Sequence, residues 1–258
     1  MLLPDIDPVI FSIGPLAVRW YGLMYLLGFV FAYLLLSRLS AKRGLAIGKE
    51  ELSDLLFYAV IGVVLGGRLG YTLFYNAGYF LAHPLEIFYV WEGGMSFHGG
   101  LLGVVASLLL FCRRRHYSPL SIGDLAVTAA PIGLGLGRLG NFINGELWGR
   151  ITDVPWAVVF PAAGPEPRHP SQLYEAVLEG PLLFCCLWYL HRRGVRPGIP
   201  FFSFFLLYGL FRFLVEFVRQ PDAHLGYLWA GATMGQLLSL PMILFGVAGL
   251  LYLKRRAA

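Results

Sequence analysis

Three arginines lie inside segments of this sequence that are otherwise apolar. Arg68, Arg138 and Arg212 each occur toward the same side of a membrane in the topology derived below. An arginine inside a bilayer is costly and usually faces a cavity or a partner. One arginine near a helix end can snorkel to the headgroups, but three at matching depth favour a shared role. Because planar guanidinium suits bidentate phosphate binding, we expect an outer-leaflet phosphate as the ligand.

The arginine near the end of the sixth apolar segment has charged neighbours at helical spacing. Arg212, Glu216 and Arg219 are four and three residues apart and therefore share one helix face. A carboxylate between two arginines would hold both in place without cancelling them. An ordinary ion-pair ladder at a helix end has the same spacing, and both interpretations stay open.

The stretch 137–149 changes abruptly from apolar to polar. Arg138, Asn141, Asn144 and Glu146 occur there among four glycines. Glycine allows a backbone to approach a ligand closely, and two amides and a carboxylate would hydrogen-bond hydroxyl groups while the arginine takes a phosphate. A polar helix exit with turn glycines is the weaker alternative.

His98 lies between glycines at the outer end of the third apolar segment. Histidine can accept a proton near neutral pH, so His98 is a candidate base, with a packing role as the equal alternative. Arg68, Tyr71 and Tyr75 share a helix face, although interfacial tyrosine belts are common and favour a structural role for the tyrosines.

The composition indicates the class of protein that must position these residues. Of 258 residues, 57% are hydrophobic and 14% are charged, against about 25% charged in soluble domains, and the mean hydropathy is +0.67. These values exclude a disordered chain and an ordinary cytosolic enzyme. The net charge of +5 suggests topology signals in a membrane protein before it suggests nucleic acid, and none is expected as a partner. No histidine and carboxylate set has metal-ligand spacing.

Seven segments are candidate membrane spans, and three of them lack any Asp, Glu, Lys or Arg. The spans are 20–37, 55–80, 93–112, 125–141, 174–190, 199–218 and 225–253. We therefore expect an all-α integral membrane protein with seven transmembrane helices, forming one domain over residues 1–258.

Basic clusters set the orientation of these spans. Residues 38–49, 113–115, 192–196 and 254–256 hold 13 of the 20 lysines and arginines, and they follow the odd-numbered spans. The positive-inside rule makes that face cytoplasmic, with the N-terminus outside and the C-terminus inside. The outer connections are then 76–92, 142–173 and 219–232. The longest, 142–173, is a small irregular outer (periplasmic) head inserted between spans four and five, in which 151–160 would form a short strand or hairpin.

Several segments resemble the bacterial prolipoprotein diacylglyceryl transferase family. The stretch 138–149 matches the family signature, and 19–25, 93–100, 169–175 and the Arg212/Glu216/Arg219 cluster match as well. The resemblance runs nearly end to end. It implies transfer of the diacylglyceryl group of phosphatidylglycerol to the lipobox cysteine of a prolipoprotein signal peptide, with release of glycerol phosphate, as the first step of lipoprotein maturation.

The resemblance also implies roles, a location and partners. His98, Arg138 and Arg212 fall on positions that are essential in the family, and Tyr21, Asn141, Glu146 and Gly149 fall in its motifs. The expected substrate-binding set has ten residues: Tyr21, Arg68, Tyr71, Tyr75, Arg138, Asn141, Glu146, Gly149, Glu216 and Arg219. No cofactor or metal is expected. The protein would be a multi-pass monomer of the bacterial inner membrane, contacting membrane lipids, with its active site toward the outer leaflet.

Two other classes of function use the same residues less well. A lipid or anion transporter would need access from both sides, whereas the intramembrane charges are biased to the outer half. An intramembrane protease would need partners for Ser96, which lies two residues from His98, and the sequence offers no convincing set.

Overall fold

The computed structural model describes residues 2, 6–7, 9–13, 16–45, 47–221, 226–228 and 231–256. This part of the chain is mostly helical, and six helices in it are long and apolar enough to cross a membrane. They are α1 (Trp20–Lys42), α2 (Lys49–Phe74), α4 (Phe97–Arg115), α5 (Pro119–Ile143), the pair α6 and α7 (Ser171–Arg192) and α9 (Met234–Arg255). The predicted class, an all-α membrane protein, is confirmed.

Two of the predicted spans differ in length from the helices that the structure shows, and the shorter helices lie in these spans. The sixth predicted span holds α8, Ile199–Val215, whose 17 residues extend about 26 Å, slightly less than a hydrocarbon core of about 30 Å. The second predicted span continued to residue 80, but α2 ends at Phe74 and a separate α3 covers Ala77–Ala82. Of the outer connection 219–232, residues 222–225 and 229–230 lie outside the described part.

The chain divides into two compact units, a larger one of residues 1–35 and 123–258 and a smaller one of residues 36–122. In the smaller unit, α2 packs on α4 along a row of glycines. A Cβ on Gly66 would lie 2.7 Å from the Cα of Gly103, and one on Gly70 would lie 2.8 Å from the Cα of Gly99. Because higher numbers on α2 meet lower numbers on α4, the two helices are antiparallel, and the small residues allow their close approach.

In the larger unit, the fifth span is kinked. α6 (Ser171–Val177) and α7 (Leu183–Arg192) are joined by a π-helical turn, Leu178–Leu182, in which Gly180 has φ −94° and ψ −107°. Proline at position 181 cannot donate a backbone hydrogen bond and favours such a break. A Cβ on Gly135 of α5 would lie 3.0 Å from the Cα of Gly180, so α5 packs directly against the kink.

A buried aspartate fixes the start of α8. The carboxylate of Asp124 on α5 accepts hydrogen bonds from the backbone N–H groups of Gly198 and Phe201, both at 2.9 Å. These N–H groups belong to the first turn of α8, where no helical carbonyl is available to them. The contact therefore caps α8 and ties it to α5.

Two small hairpins complete the described fold. In the segment predicted to form a head, β3 (Val158–Val159) pairs antiparallel with β4 (Pro167–Arg168). β3 lies in the range 151–160 where a short strand or hairpin was expected, but its partner lies beyond that range. A second hairpin, β1 (Val9–Ile13) with β2 (Leu16–Arg19), precedes α1 and was not predicted. Its β-branched residues, followed by Gly and Pro at 14 and 15, are a usable strand and turn signal.

Candidate active site

Six charged side chains form an ion-pair cluster in the larger unit. Its members are Arg138 on α5, Glu175 on α6, Glu179 in the π turn, Arg212 on α8, and Glu216 and Arg219 just after α8. The carboxylates are at most 1% exposed, and the arginine side chains are 8–19% exposed. Buried charges need partners, and here three positive and three negative charges balance.

Glu175 is the carboxylate that contacts all three arginines of the cluster. Its Oε1 accepts a hydrogen bond from Nη1 of Arg212, and its Oε2 lies 3.0 Å from Nε of Arg138. Nε of Arg219 lies 3.8 Å from Oε1. One fully buried side chain therefore links α5, α6 and the end of α8.

Glu216 lies between two arginines, as the spacing predicted. Its Oε1 accepts from Nη2 of Arg212 and lies 3.4 Å from Nη1 of Arg219. Its Oε2 accepts from the hydroxyl of Thr233 at 2.6 Å. Glu216 thus secures Arg212 and Arg219 and joins them to the residue that caps α9.

Arg138 keeps part of its guanidinium group available. Its Nε lies 3.0 Å from Oε2 of Glu175 and 3.2 Å from Oε2 of Glu179. Neither Nη nitrogen has a hydrogen-bond partner among the residues that the structure describes. Two parallel N–H donors are the geometry that binds a phosphate or carboxylate bidentately.

The polar stretch after Arg138 is hydrogen-bonded to itself. Oε1 of Glu146 accepts from the amide groups of Asn141 at 2.9 Å and Asn144 at 3.2 Å. The backbone carbonyl of Glu146 accepts from Nε2 of Gln172 at 2.6 Å. Asn141 and Glu146, predicted to contact substrate, are thus brought together and oriented by one another.

Gly149 lies where three backbone segments meet. Its N–H donates to the carbonyl of His169 at 2.9 Å, and it forms a β-bridge with Arg219. A Cβ at this position would lie 2.6 Å from the Cβ of His169 and 2.7 Å from the carbonyl of Val218. The close backbone approach expected for this glycine is therefore made to other backbone. Arg150 reinforces it by donating to the carbonyls of Glu216 and Arg219.

His169 belongs to a small aromatic group beside this junction. Its Nδ1 lies 3.2 Å from the hydroxyl of Tyr174, which accepts from the indole N–H of Trp156 at 2.6 Å. Burial lowers the pKa of His169, which favours the neutral ring. These contacts of Tyr174 join the start of α6 to the segment 142–173.

Tyr21, the remaining predicted residue of the larger unit, lies in the first turn of α1. Its ring packs over Gly140 of α5, where an added Cβ would lie 2.9 Å from Cδ2 of the tyrosine. The residue is partly exposed. Gly140 therefore makes room for Tyr21 beside the beginning of the 141–149 stretch.

In the smaller unit, Arg68 is buried and holds a loop. Its guanidinium donates to the carbonyls of Ile87 at 2.8 Å, Glu86 at 2.5 Å and Gly93 at 2.6 Å, and it lies 5.1 Å from the ring centroid of Phe80. These bonds tie Arg68 to the loop before α4, and its expected contact with substrate stays a prediction.

The other predicted residues of the smaller unit are more exposed. Tyr71 and Tyr75 stack with their ring centroids 5.7 Å apart, and Tyr75 is exposed. His98 lies in the first turn of α4, exposed, with Phe97 edge-on at 5.6 Å. The exposed ring of His98 is accessible for a base role.

Comparisons with known proteins agree with the sequence resemblance. The family model described as prolipoprotein diacylglyceryl transferase matches residues 8–252. The chain belongs to this family. A relative from Geobacter sulfurreducens, named phosphatidylglycerol–prolipoprotein diacylglyceryl transferase, is 57% identical over 99% of this chain and 98% of its own. Relatives with the same name from Aeromonas hydrophila and Bordetella avium are each 56% identical, over 94% and 99% of this chain and 88% and 97% of theirs.

Two members of the cluster, Glu175 and Glu179, and a third residue, Tyr208, are not among the site residues predicted from the sequence of this diacylglyceryl transferase family member. Glu175 and Glu179 lie four residues apart in an apolar segment, a costly pattern that signals basic partners elsewhere in the membrane. Tyr208 precedes Arg212 by four residues, which places it on the same face of α8. Spacing within one helix would have found the tyrosine, but not the partners of the two glutamates.

Proposed function

We propose that this protein transfers the diacylglyceryl group of phosphatidylglycerol to a cysteine thiol of a prolipoprotein. The observation that carries the proposal is 57% identity over 99% of the chain to a relative named for that activity. The protein is thus a transferase of lipoprotein biosynthesis, and it makes the lipid modification that begins lipoprotein maturation. Its lipid substrate is phosphatidylglycerol, and its protein substrate presents a lipobox cysteine at the end of a signal peptide.

The reaction determines which groups the site must supply. The sulfur attacks the carbon of the diacylglyceryl group that is esterified to phosphate, so a C–S bond forms while the bond between that carbon and the phosphate oxygen breaks. Glycerol phosphate leaves with the bonding electron pair, and its phosphate gains negative charge. Donors aimed at that phosphate stabilise the transition state more than the ground state, and such a contribution reaches several kcal/mol in a dry site.

Arg138 supplies these donors, and Arg212 supplies positive charge beside them. The Nη nitrogens of Arg138 have no protein partner among the described residues and form the fork that binds the phosphate. Arg212 is held between two carboxylates and adds positive charge beside it. Asn141 and Glu146, fixed on one another, orient the glycerol head through its hydroxyls, and Gly149, Glu216 and Arg219 support this arrangement.

The thiol proton needs an acceptor, because a free thiol has a pKa near 8.5 and is mostly protonated at neutral pH. We assign this role to His98, from its type and from the family resemblance. Tyr21 or Tyr75 assists it. Arg68 and Tyr71 act by holding the loop that precedes His98.

The placement of charge supports the proposed location. Basic residues occupy the last turns of α4, α7 and α9, which supports seven spans with those ends cytoplasmic and the N-terminus outside. Residues 142–173 then form the outer head, and the site faces the outer leaflet of the bacterial inner membrane. The protein acts as a monomer.

Purified protein in detergent tests the activity directly. With phosphatidylglycerol and a lipobox peptide, we expect a thioether-linked diacylglyceryl peptide and released glycerol phosphate, both measurable by mass spectrometry. A peptide with serine for the lipobox cysteine is the control. Phosphatidylethanolamine carries the same phosphate but an ammonium head, and it should give at least tenfold less product. No product from phosphatidylglycerol would overturn the proposal, and equal product from both lipids would remove the proposed head-group contact.

A further inference from the structure

A single carboxylate connects the two arginines that the reaction needs. We infer that Glu175 is a positioning residue, which fixes the guanidinium groups of Arg138 and Arg212 relative to one another. The inference rests on the function proposed above. It assigns Glu175 no contact with substrate, so the residue acts only through the arginines.

The two carboxylate oxygens of Glu175 contact arginines on two different helices. Oε1 accepts from Nη1 of Arg212 on α8, and Oε2 lies 3.0 Å from Nε of Arg138 on α5. The side chain is fully buried, so water does not compete for either oxygen. A rigid two-pronged anion of this kind sets the distance between its two cationic partners.

The contacts also decide which nitrogens of Arg138 remain for a ligand. Because the carboxylates lie at Nε, the Nη pair is left without a partner among the described residues. Donors that are aimed before the substrate binds lower the barrier, and a displacement of about 1 Å can cost about a hundredfold in rate. Loss of Glu175 should therefore impair the transition state.

Glu179 provides a matched comparison four residues away. Its Oε2 accepts a hydrogen bond from Nε of Arg138 at 3.2 Å, whereas Oε2 of Glu175 makes an ion-pair contact with that nitrogen without hydrogen-bond geometry. Oε1 of Glu179 has no hydrogen-bond partner in the part of the chain that is described, and Glu179, unlike Glu175, forms no ion pair with a second arginine there. A glutamine at 179 can keep its carbonyl oxygen on Arg138 and place its NH2 at the unpartnered position. A glutamine at 175 places an NH2 donor against a guanidinium in either orientation.

The same substitution at the two positions should therefore have different effects. We expect E175Q to lower kcat for transfer from phosphatidylglycerol at least about tenfold, and E179Q no more than about threefold. E51Q is the external control, since Glu51 pairs with Tyr117 and Arg115 in the smaller unit and should leave kcat unchanged. Equal losses in E175Q and E179Q would overturn the inference.

A double-mutant cycle separates positioning from a general structural role. If Glu175 acts through Arg138, E175Q should cost less than about twofold when added to R138K, because neighbouring residues that act as a unit are not additive. Full additivity would overturn the inference.

E175D keeps both oxygens but is shorter, and it serves if E175Q does not fold. Its kcat should fall about tenfold with an unchanged melting temperature, and a wild-type kcat would count against positioning. If the unmodified protein gives no transfer, the proposed function fails instead.

Discussion

Arg138 and Arg212 differ in what their guanidinium groups can still offer a ligand. Arg212 donates through Nη1 and Nη2 to Glu175 and Glu216. Arg138 contacts carboxylates through Nε alone. The two residues therefore have different proposed roles. Arg138 binds the phosphate through its two Nη nitrogens, and Arg212 provides fixed positive charge.

Arg138→Lys tests the fork while keeping the charge. Lysine lacks the planar pair of donors, so we expect at least a tenfold loss of transfer, about 1.4 kcal/mol in the barrier. The measurement is kcat/KM of the purified, folded variant for phosphatidylglycerol. Arg113→Lys, an exposed change at the end of α4, is the control. A normal rate for Arg138→Lys would refute bidentate phosphate binding by Arg138.

His98→Gln tests the assignment of the base. Glutamine keeps a hydrogen-bonding group of similar reach, so a packing role would be largely spared. A base role predicts a loss of about a hundredfold at pH 7. Raising the pH to 9 converts most of a thiol with a pKa near 8.5 to thiolate, so the variant should recover relative to the unmodified protein. Rates measured from pH 7 to 9 decide this. Normal activity at pH 7 or a constant defect would exclude the base role.

The predictability of each contact depends on how far apart its partners lie in the sequence. Arg212, Glu216 and Arg219 could be grouped because helix geometry fixes the contacts of residues three and four apart. Glu175 lies 37 residues from Arg212, and only tertiary packing brings them together. The contacts of Arg68 could not be predicted, because its partners are carbonyls of an irregular loop, which no spacing of side chains reveals.

Among the structural elements, the junction at Gly149 is the most sensitive to a single added atom. The strand-like segments around His169 and Val218 leave no space for a Cβ. The segment after α8, which carries Glu216 and Arg219, is attached to the head through this point. A disturbed junction would therefore move two members of the ion-pair cluster.

Gly149→Ala should destabilise the protein, because overpacking of this kind costs about 1–3 kcal/mol. We expect a fall of about 5 °C in the melting temperature in detergent, with a loss of transfer. Gly133→Ala on α5 is the matched control, since its Cβ would have no atom within 4 Å and alanine favours a helix by about 1 kcal/mol. An unchanged melting temperature for Gly149→Ala would contradict the steric account.

The apolar segments predicted the helices better than their ends or their irregularities. Each of the seven predicted segments contains a helix, because length and apolarity are read directly from the residues. The kink at Gly180 depends on packing against Gly135, which the sequence does not encode locally. The end of α2 at Phe74 was missed although a local signal exists, since Asn76 and Gly78 favour a break in the helix there.

At the scale of the whole molecule, the orientation in the membrane can be tested with introduced cysteines. Cys112, Cys185 and Cys186 are first replaced by alanine, and single cysteines are then placed at Ala162 in the head and at Arg256 after α9. In intact spheroplasts, we expect an impermeant thiol reagent to label position 162 and not 256. Labelling of both after lysis is the control. The reverse pattern would overturn the proposed orientation.

The balanced cluster of buried charges also constrains how the chain is inserted during synthesis. A lone ionised Glu or Arg at the centre of a helix adds about 2.5–3.5 kcal/mol to the cost of insertion, and α6 with its π turn carries two carboxylates. Arg212 is made 37 residues after Glu175, a delay of about 2–7 s at about 5–20 residues per second. During that interval the acidic helix lacks one of its counter-ions, so we expect α5 and α6 to remain together until α8 is made. We therefore expect these helices to enter the lipid as a group.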